Sequence, residues 1–192
     1  MSDVITLAHG SGGHKTGELI AEVFKKNLGN EFFTSDDAAV MPKPEGRIAM
    51  STDGFIVSPW KFNGGNIGKL SVCGTVNDLA CMGAKPLYLT CSYVIEEGFP
   101  IDELEKIAEA MGETARKAGV KIVAGDTKVA GKGQVDQIFI TTAGVGVISE
   151  GVNMSGAFAK PGDKIIVTGD VGRHGTCILL ARGDYGDRKS VV

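Results

Sequence analysis

The sequence predicts an α+β fold in which a mixed, largely antiparallel sheet packs against helices. Residues 101–118 place apolar side chains at the spacing of an amphipathic helix, and residues 86–97 alternate them as a strand does. Residues 137–148 form a second long strand, which is apolar on both faces. Because several long strands follow one another, the pattern favours this class over a regular alternation of parallel strands and helices.

The remaining elements follow the same two periodicities. Residues 15–28 have one apolar face, as an amphipathic helix does. Asn66 is a helix-capping residue type, and the helix that it begins carries Gly74 on the same face as Asp78, which leaves space beside that carboxylate. The expected helices are residues 15–28, 66–83 and 101–118, the expected strands are residues 47–52, 86–97, 120–124 and 137–148, and a short extended piece is expected around Ala38–Met41.

A strand that is apolar on both faces must be covered twice. In residues 137–148, Phe139 and Val145 lie on one face, whereas Ile138 and Ile140 lie on the other. Helices can cover one of these faces, so the other needs a second sheet, which a partner subunit could supply. We therefore expect a homodimer that forms through a shared sheet.

The character of the sequence changes toward its C-terminus. Residues 155–163 are rich in turn-forming residues, and residues 164–172, KIIVTGDVG, indicate a new strand and turn before a helix that starts near Gly175. We expect a first domain at residues 1–154. We expect residues 155–192 to contain a linker and the incomplete start of a second α/β domain.

Composition argues against several classes of protein. The chain of 192 residues carries 20 Lys and Arg against 23 Asp and Glu, which argues against a nucleic-acid surface. No run approaches the roughly 18 apolar residues that a membrane span needs. The N-terminus lacks the features of a signal peptide, so we expect a cytoplasmic protein. In that compartment the cysteines are expected to be small buried thiols: Cys73, Cys81, Cys91 and Cys177.

The first candidate for chemistry is the glycine-rich sequence HGSGGHKT, which directly precedes the first helix. A glycine-rich turn that opens into a helix N-terminus presents free N–H groups to an anion, and the helix dipole adds to the attraction. It is not a Walker A loop, because His14 and not a glycine precedes Lys15. A phosphate-binding loop and a flexible arm without a ligand both remain open. The residues concerned are His9, Gly10, Ser11, Gly12 and Gly13.

Acidic residues in similar settings form the second candidate. Singly, each is best interpreted as a turn or helix-capping residue. Several of them in a glycine-rich chain with a phosphate-like loop instead favour a hard cation, since Mg²⁺ usually joins carboxylates to substrate phosphates. Asp53 and Asp126 are each expected to follow directly after an apolar strand. The settings are Asp36 and Asp37 in SDDAAV, Asp53 in STDG, Asp78 in TVNDLA and Asp126 in AGDTK.

The third candidate is Lys128, which lies two residues after Asp126. A lysine beside carboxylates can neutralise phosphate or, when it is desolvated, act as a base. The alternative is a solvated surface lysine, which is the commoner environment of this residue type. Both interpretations stay open on the residues alone.

Six motifs follow one another over nearly the whole chain: HGSGG, SDDAAV, STDGFIVSPW, GTVNDLACMGAKP, VAGDTKV and VTGDVGRHG. Together they resemble the hydrogenase maturation factor HypE family of the AIR-synthetase superfamily. Other members of the superfamily fit less well. A selenophosphate synthetase would carry a reactive cysteine or selenocysteine near the glycine-rich loop, and an AIR synthetase would have Asp-Gly-Val-Gly-Thr-Lys in place of STDGFIV. Thiamine-phosphate kinase would share DDAA and STD but not HGSGG.

The resemblance implies a two-domain protein whose first domain binds ATP and dimerises through a shared sheet that closes into a barrel. It also implies that four carboxylates hold Mg²⁺ on the triphosphate and that the HGSGG segment closes over the nucleotide. Lys128 matches a family lysine that is proposed to help deprotonate a carbamoyl nitrogen. The implied metal ligands are Asp37, Asp53, Asp78 and Asp126, and the implied nucleotide-binding residues are His9, Gly10, Ser11, Gly12, Gly13, Asp36, Thr52, Asn77 and Thr127.

The activity that the resemblance implies is an ATP-dependent dehydration of a carbamoyl group carried by a C-terminal cysteine. ATP phosphorylates the amide oxygen, phosphate leaves, and a thiocyanate remains as the cyanide source for a nickel–iron hydrogenase centre. An amide oxygen is a poor leaving group until it is phosphorylated, and metal ions neutralise the transferring phosphoryl group. The implied partners are the maturation proteins that donate the carbamoyl group and accept the cyanide.

The sequence departs from this family at its end. Family members are longer and end in the acceptor cysteine, whereas this sequence ends Ser190-Val191-Val192. We therefore expect a truncated chain that is inactive alone. An alternative of a different class also remains open, a non-catalytic module of the superfamily that binds nucleotide and dimerises. A further alternative is another ATP-using member, such as an enzyme like selenophosphate synthetase.

Overall fold

The computed structural model describes residues 3–34 and 36–182, and its main feature is a four-stranded sheet. The order across the sheet is β1-β6-β4-β5. Only β4 and β5 run parallel, and the other neighbours are antiparallel, so the predicted mixed sheet is confirmed. The strands are β1 (Arg47–Phe55), β4 (Ala84–Glu96), β5 (Lys121–Ala130) and β6 (Ile138–Ile148), and a separate two-stranded ladder joins β2 (Lys61–Phe62) to β3 (Gly65–Asn66).

Three helices accompany this sheet in the first part of the chain. Helix α1 covers residues 14–28 and contains one π-helical stretch at Ile20–Lys25. Helix α2 (Ile67–Cys81) begins after Asn66, whose side-chain oxygen accepts a hydrogen bond from the Lys69 N–H at 3.1 Å, as the capping prediction requires. Helix α3 covers Ile101–Ala118, the bounds that the sequence predicts. A short 3₁₀ turn, Leu7–Gly10, precedes α1.

The core lies between these helices and one face of the sheet. Ile138 and Ile140 of β6 are buried on this face, as are the apolar side chains of α3. The opposite face is open at β1, where Ile48 and Met50 are 59% and 73% exposed. The prediction that helices cover only one face of the 137–148 strand is therefore confirmed. None of the helices in the described part of the chain is long and apolar enough to span a membrane.

The chain divides into two compact units after Met154. The second unit contains a 3₁₀ turn at Gly156–Phe158 and helix α4 (Arg173–Arg182). The strand predicted within residues 164–172 is absent from this described segment, and the Ile165 side chain is 93% exposed there. A strand forms stably only beside hydrogen-bonding neighbours, and this unit supplies none in the residues described. The C-terminal residues Ser190-Val191-Val192 lie outside the residues that the structure describes.

Several predicted boundaries are wrong. Strands β1 and β5 are longer than predicted, so Asp53 and Asp126 lie within strands and not in the loops that follow them. The physical reason is pairing: β1 pairs with β6 through Phe55, and β5 pairs with β4 through Ala130, which extends both strands past their apolar parts.

The prediction of four buried thiols is wrong for two of them. Cys91 on β4 is buried, and Cys73 on α2 is half-buried, but Cys81 and Cys177 are exposed. An apolar neighbourhood in sequence does not tell which side of an element faces the core. Burial raises the pKa of the Cys91 thiol to about 12, so this thiol stays protonated at neutral and mildly alkaline pH.

We expect iodoacetamide to alkylate Cys81 and Cys177 rapidly in the folded chain and to leave Cys91 unmodified. The thiolate is the reacting form, and a buried thiol with a raised pKa provides almost none of it. Peptide mass mapping at mildly alkaline pH measures the pattern, and the same reaction in denaturant, where all four cysteines should react, is the control. Rapid labelling of Cys91 before unfolding would contradict the buried position of this residue.

Candidate functional site

Two predicted metal ligands, Asp53 and Asp78, lie near each other where β1 crosses α2. Ser51 and Asp53 are two residues apart on β1 and therefore lie on the same face of the strand, and Gly74 and Asp78 are one helical turn apart on α2. The Ser51 Oγ donates a hydrogen bond to Asp78 Oδ2 at 2.8 Å. A Cβ atom added at Gly74 would lie 3.1 Å from Asp53 Oδ2. The crossing thus brings the Asp53 and Asp78 side chains next to each other.

The spacing of the two carboxylates follows from the geometry of the elements that carry them. Two residues along a strand advance roughly 6.6 Å, and one turn of α-helix advances roughly 5.4 Å. The two advances are similar, so the Asp53–Gly74 contact and the Ser51–Asp78 hydrogen bond can form together. The Asp53 and Asp78 carboxylates are consequently on the order of 6 Å apart, within the reach of one hydrated divalent ion.

The crossing rests on a buried set of hydroxyl groups. Thr142 is paired with Asp53 in the sheet, and its Oγ1 donates to the Ser71 carbonyl oxygen at 2.9 Å. The Thr75 and Thr142 hydroxyl oxygens lie 2.7 Å apart and share a second hydrogen bond. All three of these Ser and Thr residues are fully buried. Because every hydroxyl in this set has a partner, helix α2 has a defined position on β6.

The predicted glycine-rich loop packs against β5. A Cβ atom at Gly10 would lie 2.7 Å from the Val129 backbone nitrogen, so only glycine fits there. Gly12 has a φ of +83°, which also favours glycine. The His9 ring is buried, and its Nδ1 accepts a hydrogen bond from the Thr6 N–H at 2.9 Å. The start of the loop at His9 and Gly10 is therefore packed against the fold, whereas Ser11, Gly12 and Gly13 are exposed.

Asp126 and Lys128 also lie on β5. The Lys128 Nζ is 2.9 Å from Asp126 Oδ1, and the two side chains are 65% and 54% exposed. A surface ion pair of this kind contributes about 0–1 kcal/mol to stability. Lys128 is therefore an exposed lysine whose ammonium group is paired with a predicted metal ligand.

The sheet places Asp126 far from the β1–α2 crossing. Strands β1 and β5 are the two edges of the sheet, roughly 14 Å apart across three strand spacings. Across the sheet, Asp53 pairs with Thr142, which pairs with Cys91, and these two partners are buried under the helices. Asp126 pairs with Ser92, which pairs with Thr141, one position further along the strands. Because successive positions of a strand face opposite sides of the sheet, Asp53 and Asp126 lie on opposite faces as well as at opposite edges.

The remaining predicted residues occupy separate positions. Asp36 and Asp37 are exposed in a bend before β1. Thr52 is exposed on β1, and its Oγ1 donates to the Thr142 carbonyl oxygen at 3.2 Å. Asn77 is exposed on α2 beside Asp78, and Thr127 is half-buried on β5. In the described part of the chain, no three His, Cys, Asp or Glu side chains come together as a metal site, so the four predicted ligands do not converge within one chain.

Ser51 and Gly74 are site residues that the predicted ligand set omits. The spacing of Gly74 and Asp78 predicts space beside that carboxylate, and Phe55 and Asp53 of β1 fill it. Ser51 could have been found from its position two residues before Asp53, because that spacing puts both side chains on one face of a strand. The crossing of β1 with α2, which gives Ser51 its partner, has no local sequence signal.

The comparisons with known proteins agree with this fold. The chain is 47% identical over 179 residues to the carbamoyl dehydratase HypE of Rhizobium leguminosarum bv. viciae, and this match covers 93% of the chain and 51% of that protein. A crystal structure of the hydrogenase maturation protein HypE in complex with ATP superimposes with a TM-score of 0.89 at 44% identity, over 97% of this chain and 56% of that one. For a chain in a crystal structure of the HypE–HypF complex the TM-score is 0.70 at 50% identity, over 90% of this chain and 56% of that one.

The chain spans about half the length of the curated relatives that it matches. Within that half, residues 35–148 match the family model of the AIR synthase related protein, N-terminal domain. This region contains β1 to β6, α2 and α3, together with the crossing at Asp53 and Asp78. Since the match covers more than half of the chain, the chain belongs to the AIR synthase related protein family through its N-terminal domain.

Proposed function

We propose that this chain is the nucleotide-binding half of an ATP-dependent carbamoyl dehydratase of the HypE type. The observation that carries the proposal is the pair of carboxylates, Asp53 and Asp78, at the crossing of β1 with α2. Asp53 lies beside Gly74, and Asp78 accepts a hydrogen bond from Ser51. It is supported by the likeness of nearly the whole chain to a HypE solved with ATP. A metal-bound triphosphate needs such a pair, because hard cations bind carboxylate oxygens.

We propose that Mg²⁺ accompanies the nucleotide. The donor set fits this ion, since Asp53 and Asp78 offer only oxygen atoms and sit on rigid elements. The bound ion would neutralise charge on the transferring phosphoryl group. The glycine-rich loop, with Gly10 packed against β5, would supply backbone N–H groups to the phosphates.

The proposed reaction converts a cysteine S-carbamoyl group and ATP into an S-cyano group, ADP and phosphate. The carbamoyl oxygen attacks the γ-phosphorus and the bond to ADP breaks. The carbon–oxygen bond then breaks as phosphate leaves, and the nitrogen loses both protons to form the nitrile. We assign one of these proton transfers to Lys128, which would accept the proton as the neutral amine and whose Nζ is placed 2.9 Å from Asp126 Oδ1.

We also propose that the site is completed by a second copy of the chain. Within one sheet, Asp53 with Asp78 lies at one edge and β5 with Asp126 and the glycine-rich loop lies at the other, and one metal ion with ligands at about 2 Å cannot join Asp126 to Asp53 across that separation. A shared sheet in which β5 of one copy lies beside the β1 edge of the other, with the open faces turned toward each other, would bring Asp126 to the crossing around that edge. The exposed apolar side chains Ile48 and Met50 on that open face favour such burial.

The proposed partners are the maturation proteins that donate the carbamoyl group and accept the cyanide. A structure of a HypE–HypF complex, one chain of which resembles this chain with a TM-score of 0.70, supports a partner of this general kind. The acceptor thiol would belong to the part of the longer protein that this chain does not span.

Lys128→Ala should abolish turnover in the longer protein and leave ATP binding nearly unchanged. This separation is expected because the proposed role of Lys128 is confined to the chemical step. The measurement is phosphate release from a protein carrying a carbamoylated C-terminal cysteine, with mass detection of the lost water. Lys132→Ala, at another exposed lysine, is the matched control.

Two results would change this assignment. An unchanged rate in Lys128→Ala would remove Lys128 from the chemistry. ATP binding by the unaltered longer protein without any loss of water would favour the alternative function, a nucleotide-binding and dimerisation module.

A further inference from the structure

We infer that Ser51 is a positioning residue that orients the Asp78 carboxylate for the metal-bound nucleotide. The inference deepens the proposed function and rests on it. Its basis is the hydrogen bond from Ser51 Oγ to Asp78 Oδ2, which is 2.8 Å long. Ser51 belongs neither to the predicted metal ligands nor to the predicted nucleotide-binding residues, and it lies one position before Thr52 and two before Asp53.

The hydrogen bond uses only part of the capacity of the carboxylate. An ionised carboxylate has two oxygens with about four lone-pair sites, and Ser51 occupies one of these on Oδ2. In the part of the chain that the structure describes, the Asp78 side chain has no salt bridge and no second hydrogen bond. The other oxygen, Oδ1, is therefore left for a cation, while the bond from Ser51 restricts the rotation of the group.

Restricting this rotation matters because Asp78 is exposed. An exposed aspartate on a helix samples several rotamers and loses that freedom when it binds an ion. The Ser51 hydroxyl keeps the carboxylate on the β1 side of α2, next to Asp53. Binding then needs less ordering of side chains, which is the general benefit of a preorganised site.

A merely structural role for this bond is the alternative. The fold, however, holds α2 on the sheet through the buried Thr75 and Thr142 hydroxyl groups and through the packing of Gly74 against Phe55. A partly exposed hydrogen bond adds little to these buried contacts. Loss of the Ser51 hydroxyl should therefore weaken ion binding without lowering the unfolding temperature, and a structural role predicts the opposite.

The test measures ATP binding by calorimetry at increasing Mg²⁺ concentrations, together with thermal unfolding without nucleotide. The variants of the 192-residue chain are Ser51→Ala, Ser51→Thr and, as a matched control at an exposed serine, Ser149→Ala. We expect Ser51→Ala to raise the Mg²⁺ concentration for half-maximal binding about three- to tenfold, the range of an ordinary net hydrogen bond, because this bond to a charged group is exposed to solvent. Ser51→Thr, which keeps the hydroxyl, should stay within about twofold of the unaltered chain, and Ser149→Ala should match it.

The outcomes separate this inference from the proposed function. If the unaltered chain shows no Mg²⁺-dependent ATP binding, the proposed function is overturned and this inference with it. If Asp78→Asn removes the Mg²⁺ dependence but Ser51→Ala leaves it unchanged, only the inference is overturned. A lowered unfolding temperature in Ser51→Ala with an unchanged Mg²⁺ requirement, or a failure of threonine to restore binding, would also overturn it.

Discussion

Asp78→Asn is expected to weaken Mg²⁺-dependent ATP binding by at least about tenfold, which corresponds to about 1.4 kcal/mol. The substitution removes one negative charge from the pair that Asp78 forms with Asp53, and the divalent ion requires that charge. The asparagine carbonyl oxygen can still accept the hydrogen bond from Ser51, so the contact of β1 with α2 persists. Calorimetry with Mg²⁺ and with a chelator measures the effect.

The matched control for this experiment is Asp136→Asn. Asp136 is exposed in the segment before β6, so its replacement makes the same change of charge away from the crossing. Asp53→Asn should behave like Asp78→Asn if the two carboxylates act on one ion. Tight ATP binding that needs no Mg²⁺ and is the same in Asp78→Asn would refute the assignment of the metal to this crossing.

Mixing two defective chains is expected to restore ATP binding. If one copy contributes Asp78 and the other contributes Asp126, Asp78→Asn and Asp126→Asn each disable every site in their own homodimers. A mixed dimer then holds one site with both substitutions and one site with neither. Random exchange of subunits should recover about a quarter of the sites of the unaltered protein.

Counting binding sites by calorimetry before and after exchange of subunits gives this fraction. Light scattering on the same samples shows whether dimers form at all, and a monomer at micromolar concentration would contradict the proposed shared sheet. If mixed dimers form and no sites return, each nucleotide site belongs to one chain, and the separation of Asp126 from Asp78 must be bridged in another way. A mixture of Asp78→Asn with Asp53→Asn, which would alter the same half-site, should recover no sites and is the control.

The local elements of this protein could be predicted from the sequence, because they depend on patterns within one segment. Helix α3 has the predicted bounds, Ile101–Ala118, since its apolar stripe ends at Gly119, which takes the left-handed conformation. The cap at Asn66 depends on a contact only three residues away. The two faces of β6 follow from the two-residue period of any strand.

The lengths of the edge strands and the grouping of the aspartates could not be predicted in this way. Strands β1 and β5 continue through Asp53 and Asp126 because β6 and β4 offer them hydrogen-bonding partners. The polar residues that end an apolar run signal a loop in sequence but are tolerated at the exposed edge of a sheet. Cys81 and Cys177 were predicted to be buried but are exposed, for a related reason: burial depends on which side of an element is covered.

The sequence by itself determined the chemical types present, a glycine-rich loop before a helix, several carboxylates beside small residues and a lysine near one of them. It also determined the α+β class, because strand and helix periods are local properties. Only the tertiary structure decided which of these groups meet. Asp53 and Asp78 lie together and Asp126 lies at the opposite edge because the strand order β1-β6-β4-β5 arises from pairings between distant segments, and no local period specifies such pairings.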